Sequence, residues 1–188
     1  KFEPDLIVLA SNTPSLLFKD KLPENVITVL PPLEKAQNAS NVAILATQIV
    51  IQSKELDEFI KEYKNLENIS KINCSELVEL VESGKFLTHE RDCVKTILKV
   101  LGDEFKENKI KIATLSSTHL PFLLPFFKRY FRGIEFLDPA ENIADKISKM
   151  KGPRSTRNTL SIYTTQSPKA LQRNLKNIGI SNKVTLFS

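Results

Sequence analysis

The chain has 188 residues, of which 41 % are hydrophobic and 26 % charged, with a formal net charge of +5. That is the composition of a soluble globular protein, long enough for one or two small domains with a real core. No apolar run approaches the roughly 20 residues that span a bilayer, and no basic segment leading into an apolar one marks a signal peptide.

In chain order, Leu6 to Ala10 is a continuous β-forming apolar run, which predicts a strand buried on both faces. Thr13-Pro14 reads as an N-cap with proline at the first helical position, opening a short helix over Ser15 to Lys21. Val26 to Leu30 is a second strand, closed by Pro31-Pro32, and Leu33 to Asn38 forms a helical turn. Asn41 to Thr47 is a third buried strand, followed by an amphipathic helix with Leu56, Phe59, Ile60 and Tyr63 on one stripe. Ile69 to Cys74 is another strand. Asn73 and Glu76 have capping-box spacing for a helix over Ser75 to Ser83, which Gly84 ends.

Thr88 to about Glu107 is a long helix pattern with Val94, Ile97, Leu98 and Leu101 on one face and Cys93 beside it as a core residue. A strand over Lys111 to Ser117 leads into a helix from Leu120 to Tyr130, and Gly133 to Leu137 is a strand. Asp138, Pro139 and Glu141 supply N-cap, first-turn proline and capping-box acid for a helix running to Met150. Lys151 to Thr159 reads as a linker. Leu160 to Thr165 is a strand, Ser167-Pro168 starts a capped helix with Leu171, Leu175 and Ile178 on one stripe, and Lys183 to Phe187 is the last strand. Strands alternating with helices imply βαβ units and largely parallel sheets, an α/β fold.

Several function classes are disfavoured. Five glycines in total leave no Gly-rich phosphate loop after any strand. Cys74 and Cys93, with His89 and His119, follow no zinc spacing. Lys and Arg alternate with acids, as on solvated helix faces. The densest basic stretch, Lys149, Lys151, Arg154 and Arg157, has no interleaved aromatics, so nucleic-acid binding is disfavoured. Free thiols without a secretion signal point to the cytoplasm. Lys1 rather than Met at the start implies processing or residues upstream.

Two stretches echo each other: Ile7 to Pro14 and Ile112 to His119. Each is an apolar run ending in small polar residues that open a helix, and in open α/β sheets ligands bind at such strand ends. Two of them suggest two half-sites facing one cleft. Equally, they are two ordinary βα turns.

The order of motifs resembles the aspartate/glutamate racemase superfamily, glutamate racemase most of all. The residues that carry the resemblance are Ala10-Ser11-Asn12-Thr13, Ala46-Thr47 with Ser53, and Cys74-Ser75-Glu76-Leu77-Val78 running on to Val81-Glu82-Ser83-Gly84. Leu115-Ser116-Ser117-Thr118-His119-Leu120-Pro121 and Leu137-Asp138-Pro139 complete the order. The resemblance implies two pseudo-symmetric α/β lobes with mainly parallel sheets flanked by helices and a cleft between them. One lobe would be residues 1–38 with 139–188, and the other 39–138. It implies cofactor-independent proton transfer at Cα by two thiols, a small amino-acid or dicarboxylate ligand, no membrane, and a homodimer. Ser11, Ser117 and His119 stand at the catalytic positions, and Asn12, Thr13, Thr47 and Thr118 at substrate-binding ones. The family's opening βαβ unit, with its Asp-Ser-Gly loop, is not among these residues. Val50 stands where the family has a threonine and Leu120 where it has a tyrosine.

The family's cysteines are Ser11 and Ser117 here. A thiol has a pKa near 8.5 and falls further beside a cation or helix N-terminus. A serine hydroxyl is far less acidic and needs an adjacent base, which His119 offers Ser117 and nothing offers Ser11. The serines could be engineered, natural in a non-racemising homologue that binds a small carboxylate, or part of different chemistry. They could also be inert turn or N-cap residues, and His119 a structural one.

Overall fold

The computed structural model describes residues 2–19, 21–37, 39–150 and 158–187. The chain separates into two compact units, Lys1–Lys149 and Met150–Ser188. The larger is built on a four-stranded parallel sheet in the order β4-β3-β5-β6, formed by Glu67–Asn73, Ser40–Ala46, Ile112–Leu115 and Glu135–Leu137. The central strand, β3, is buried from Val42 to Ala46, as its unbroken apolar run requires of a strand covered on both faces.

Alternation along β3 divides the core. Ala43 and Leu45 face one cluster with Leu77 of α4 (Ser75–Glu82), Ile97 and Leu101 of α5 (Glu90–Glu107) and Phe127 of α6 (Leu124–Tyr130). Val42, Ile44 and Ala46 face the other, with Leu16 of α1 (Asn12–Leu17), Leu33, Val50 of α2 (Gln48–Ile51), and Leu56 and Phe59 of α3 (Lys54–Lys61). Helices on both faces of a parallel sheet make a doubly wound α/β layer.

A second, two-stranded parallel sheet pairs β1 (Ile7–Leu9) with β2 (Val26–Thr28). Leu16 and Leu33, from the segments that follow these strands, are buried on the sheet face that Val42 and Ile44 share. β1 is not buried on both faces: Ile7 is 41 % and Val8 38 % exposed. An apolar run predicts burial only if other elements cover it, and among the described residues β2 is the only strand that pairs with β1. Residues 139–149 form α7 (Pro139–Lys149), started by Asp138 Oδ1 accepting from the Ala140 amide. Lys35 Nζ reaches Glu141 at 3.1 Å, and Asn142 donates to Glu34. Glu141 thus serves an ion pair, not the expected capping box.

Four local expectations shift. The first helix begins at Asn12 with Ser11 as N-cap, so Thr13 lies inside it. Before α4, Asn73 Oδ1 accepts from the Ser75 amide and hydroxyl at 3.0 and 2.7 Å, closing an Asx turn in place of a capping box. On α5 the buried seam is Cys93, Ile97, Leu101 and Phe105, while Leu98 is 42 % exposed and Val94 only half-buried. Gly84 ends α4 at φ +71°, the left-handed conformation a helix stop favours. The helix after β5 starts as a 3-10 turn over Leu120–Leu123, since Pro121 and Pro125 have no amide to donate.

The smaller unit is described by itself. β7 (Ile162–Thr164) pairs in parallel with β8 (Val184–Leu186) through α8 (Pro168–Asn177). Ser167 caps α8, its hydroxyl accepting from the Ala170 amide. Of the basic stretch and linker, residues 151–157 lie outside the described residues; Lys149 ends α7. Among the described residues no helix is long and apolar enough to cross a membrane.

Candidate functional site at the strand ends

The order β4-β3-β5-β6 means the chain leaves β3 toward β4 and returns to the other side of β3 to form β5. In a doubly wound sheet such a reversal opens a crevice at the carboxyl ends of the two strands on either side of it. Thr47 follows β3, and Ser116 to His119 follow β5. The Ser116 amide donates to the Leu45 carbonyl at 2.9 Å, holding the two strand ends together.

A pocket of about 500 Å³ lies at this reversal. Its lining contains Ser11, Asn12, Thr13, Thr47, Ser117, Thr118 and His119, so every site residue singled out from the sequence meets in it. Ser11 to Thr13 come from the turn after β1, and Ser117 to His119 from the turn after β5. The two echoing stretches therefore supply the walls of one pocket.

The side chains differ in what they offer. Asn12 is only 5 % exposed, yet among the described residues its Nδ2 and Oδ1 have no hydrogen-bond partner. A buried amide left unsatisfied costs about 1–3 kcal/mol. Ser117 is buried and Thr118 exposed, while Ser11, Thr13, Thr47 and His119 are half-buried. His119 Nδ1 lies 3.5 Å from the Ser117 hydroxyl, and its Nε2 lies 3.2 Å from Glu82 Oε1. The Ser15 hydroxyl stays structural: it donates to the Leu9 carbonyl at 3.1 Å and accepts from the Val29 amide at 3.1 Å. Thr114 and Ser116, both buried, share a 2.8 Å hydrogen bond beneath the pocket.

Sequence reasoning passed over one wall. Ser75, Val78, Glu79 and Glu82 of α4 also line the pocket. Their spacing puts them on one helical face, the signal that could have found them. Glu82 belongs to the Val81-Glu82-Ser83-Gly84 motif, which by itself assigns it no role. Among the described residues no Lys or Arg lines the pocket, while Glu79 and Glu82 do. An ammonium group is therefore matched by carboxylates, and a ligand carboxylate must be met by hydroxyls, amides and Asn12. Val50 is 2 % exposed and contributes a methyl-lined patch in place of a hydroxyl.

Neither cysteine takes part. Cys74 and Cys93 are free, fully buried and absent from the lining. Burial pushes the Cys74 thiol far above its ordinary range, and burial with the nearby Glu90 carboxylate raises that of Cys93.

No family model matches the chain. Its sequence is similar to the glutamate racemase of Brucella anthropi, 24 % identical over 95 % of this chain and 70 % of that protein. Against the glutamate racemase of Carboxydothermus hydrogenoformans it is 25 % identical, over 93 % of this chain and 66 % of the relative. The chain thus spans about two thirds of the length of these relatives. In structure it matches a glutamate racemase of Bacillus anthracis with a TM-score of 0.81 at 21 % identity, covering 100 % of this chain and 75 % of that one. A glutamate racemase of Francisella tularensis, solved in complex with D-glutamate, matches with a TM-score of 0.78 at 21 % identity, covering 98 % of this chain and 73 % of that one. The resemblance read from the motifs is borne out, and the fold is the one these racemases share.

Proposed function

We propose that this glutamate racemase-like chain binds a small amino acid in the pocket at the β3–β5 strand ends, in a racemase-type site whose proton chemistry is impaired. The observation that carries the reading is Asn12: a buried side-chain amide, unpartnered, lining a pocket with carboxylates on one wall and hydroxyls on the others. A ligand bearing both an ammonium and a carboxylate satisfies all of these groups at once.

Racemisation needs a base on one face of Cα and an acid on the other. Ser11 and Ser117 come from different turns and occupy the two positions. The hydroxyls are much weaker acids than thiols, and only Ser117 has a base beside it. Asn12, Thr13, Thr47 and Thr118 hold the ligand in this reading, and His119 assists Ser117. Proton transfer between side chains calls for no cofactor. The residues 1–38 with 139–188, and 39–138, would be the two lobes that flank the cleft. The resemblance also supports a homodimer and a cytoplasmic setting.

A second reading is favoured by one observation: the thiols the chain does possess are buried away from the pocket. The chain would then bind a small carboxylate or amino acid without turnover. Exchange of the α-proton of glutamate or aspartate for deuterium, followed by NMR, separates the two. The racemase-type reading expects slow or undetectable exchange in the natural chain and clear exchange after Ser11→Cys with Ser117→Cys. Binding without exchange in that double variant leaves the binding protein; no binding and no exchange sinks both.

A further inference from the structure

We infer that Ser117, His119 and Glu82 form a hydroxyl–imidazole–carboxylate relay that makes Ser117 a nucleophile toward small polar esters. This goes beyond the racemase-type reading while using the same pocket. One tautomer of His119 satisfies both contacts. With the proton on Nε2, the N–H side of the ring lies 3.2 Å from the Glu82 carboxylate, and Nδ1 is left as an acceptor 3.5 Å from the Ser117 oxygen. The carboxylate thus holds the imidazole in the form that can take the Ser117 proton, the logic of a nucleophile–base–orienter triad. Contacts of this kind are often long before a substrate is bound.

The surroundings fit acyl transfer. Ser117, though buried, is among the residues lining the pocket that an acyl group would enter. Among the described residues no backbone carbonyl accepts from the Ser117 or Thr118 amide, so both are available in that turn for a developing oxyanion. The hydroxyls of Ser11, Thr13 and Thr47 line the pocket beside the apolar Ile49, Val50 and Val78, which suits a short acyl group with a polar end.

In the first step the Ser117 oxygen bonds to the ester carbonyl carbon, and its proton passes to His119 Nδ1. The carbon–oxygen bond to the alcohol breaks, and the departing oxygen takes that proton. In the second step water adds to the acyl-serine, again losing a proton through His119, and the acid leaves as Ser117 regains its hydrogen. In both steps Glu82 is a positioning residue, acting through the imidazole.

The test uses two probes on the whole chain. A fluorophosphonate should leave one phosphonyl group on Ser117, located by peptide mass spectrometry, with fluoride and a proton released. p-Nitrophenyl acetate should give a stoichiometric burst of nitrophenolate. Ser117→Ala should abolish both, while Ser117→Cys, which keeps a nucleophile, should still be acylated and so reports an intact site. Glu82→Gln should slow acylation at least about tenfold with KM unchanged, and Glu82→Asp should restore part of it. No adduct, an adduct on another residue, or a burst that survives Ser117→Ala overturns the inference. α-Proton exchange reads the racemase-type proposal separately, so either can fail alone.

Discussion

His119 places its Nε2 at 3.2 Å from Glu82 Oε1, joining the turn after β5 to the last residue of α4. The contact spans two elements that pack against each other through Leu77, Leu120 and Leu123 in the same core. Both side chains are reached by solvent, so the pair adds little to stability, typically about 0–1 kcal/mol. Urea unfolding of Glu82→Gln should therefore shift the unfolding free energy by less than about 1 kcal/mol. A loss of about 3 kcal/mol, the scale of a broken buried pair, would show that the contact holds the fold together and does not merely orient the imidazole.

Asn12 should behave in the opposite way. Its buried amide has no partner without a ligand, so Asn12→Leu, close in volume, removes an unsatisfied polar group. The ligand-free protein should gain about 1 kcal/mol in chemical denaturation. The same variant should lose the rise in Tm that glutamate or aspartate gives the natural chain. Destabilisation of the ligand-free protein would mean that the amide has a structural partner.

The inward face of α5 can be tested by a pair of neighbouring truncations. Ile97 is fully buried and Leu98 is 42 % exposed. Ile97→Ala should cost about 2–5 kcal/mol, and Leu98→Ala under about 1 kcal/mol. Equal costs would place the seam where periodicity alone had put it.

That pair also shows what the sequence could and could not reveal. β3 was legible because five successive apolar residues with no polar break fit only a strand covered on both sides. β1 has the same pattern, but cover is a property of the neighbours, and the run does not name them. The α5 pattern allowed two overlapping stripes; Cys93 and Phe105 decide between them by joining the core cluster that Ala43 and Leu45 of β3 face. In the pocket, Ser11 to Thr13, Thr47 and Ser117 to His119 were legible as strand-end residues carrying a family's motif. The α4 wall was not. Glu79 and Glu82 look like any solvated helix face until the Asx turn at Asn73 fixes how α4 is aimed.

Cys74 makes a pH prediction. Its thiol is held protonated by burial, while in the unfolded chain it ionises near pH 8.5. Above that pH the unfolded state binds fewer protons than the folded one, so this group's contribution to stability is present below about pH 8.5 and is lost as pH rises. The loss approaches about 1.4 kcal/mol per pH unit. Cys74→Ala should flatten the fall between about pH 8.5 and 10 by up to that slope. Reaction with a thiol reagent should occur only through unfolding, giving a modification rate that follows denaturant concentration.

The ligand proposed for the pocket where β3 and β5 end is an amino acid. The most direct measurement is a titration of the isotope-labelled natural chain with glutamate and with aspartate, watching backbone amide signals. Saturable shifts are expected at Ser11, Asn12, Thr47, Ser117 and Thr118, together with the Asn12 side-chain amide, and they should be lost in Asn12→Leu. No saturable shift with either amino acid, or shifts confined to residues outside this pocket, would contradict that proposal.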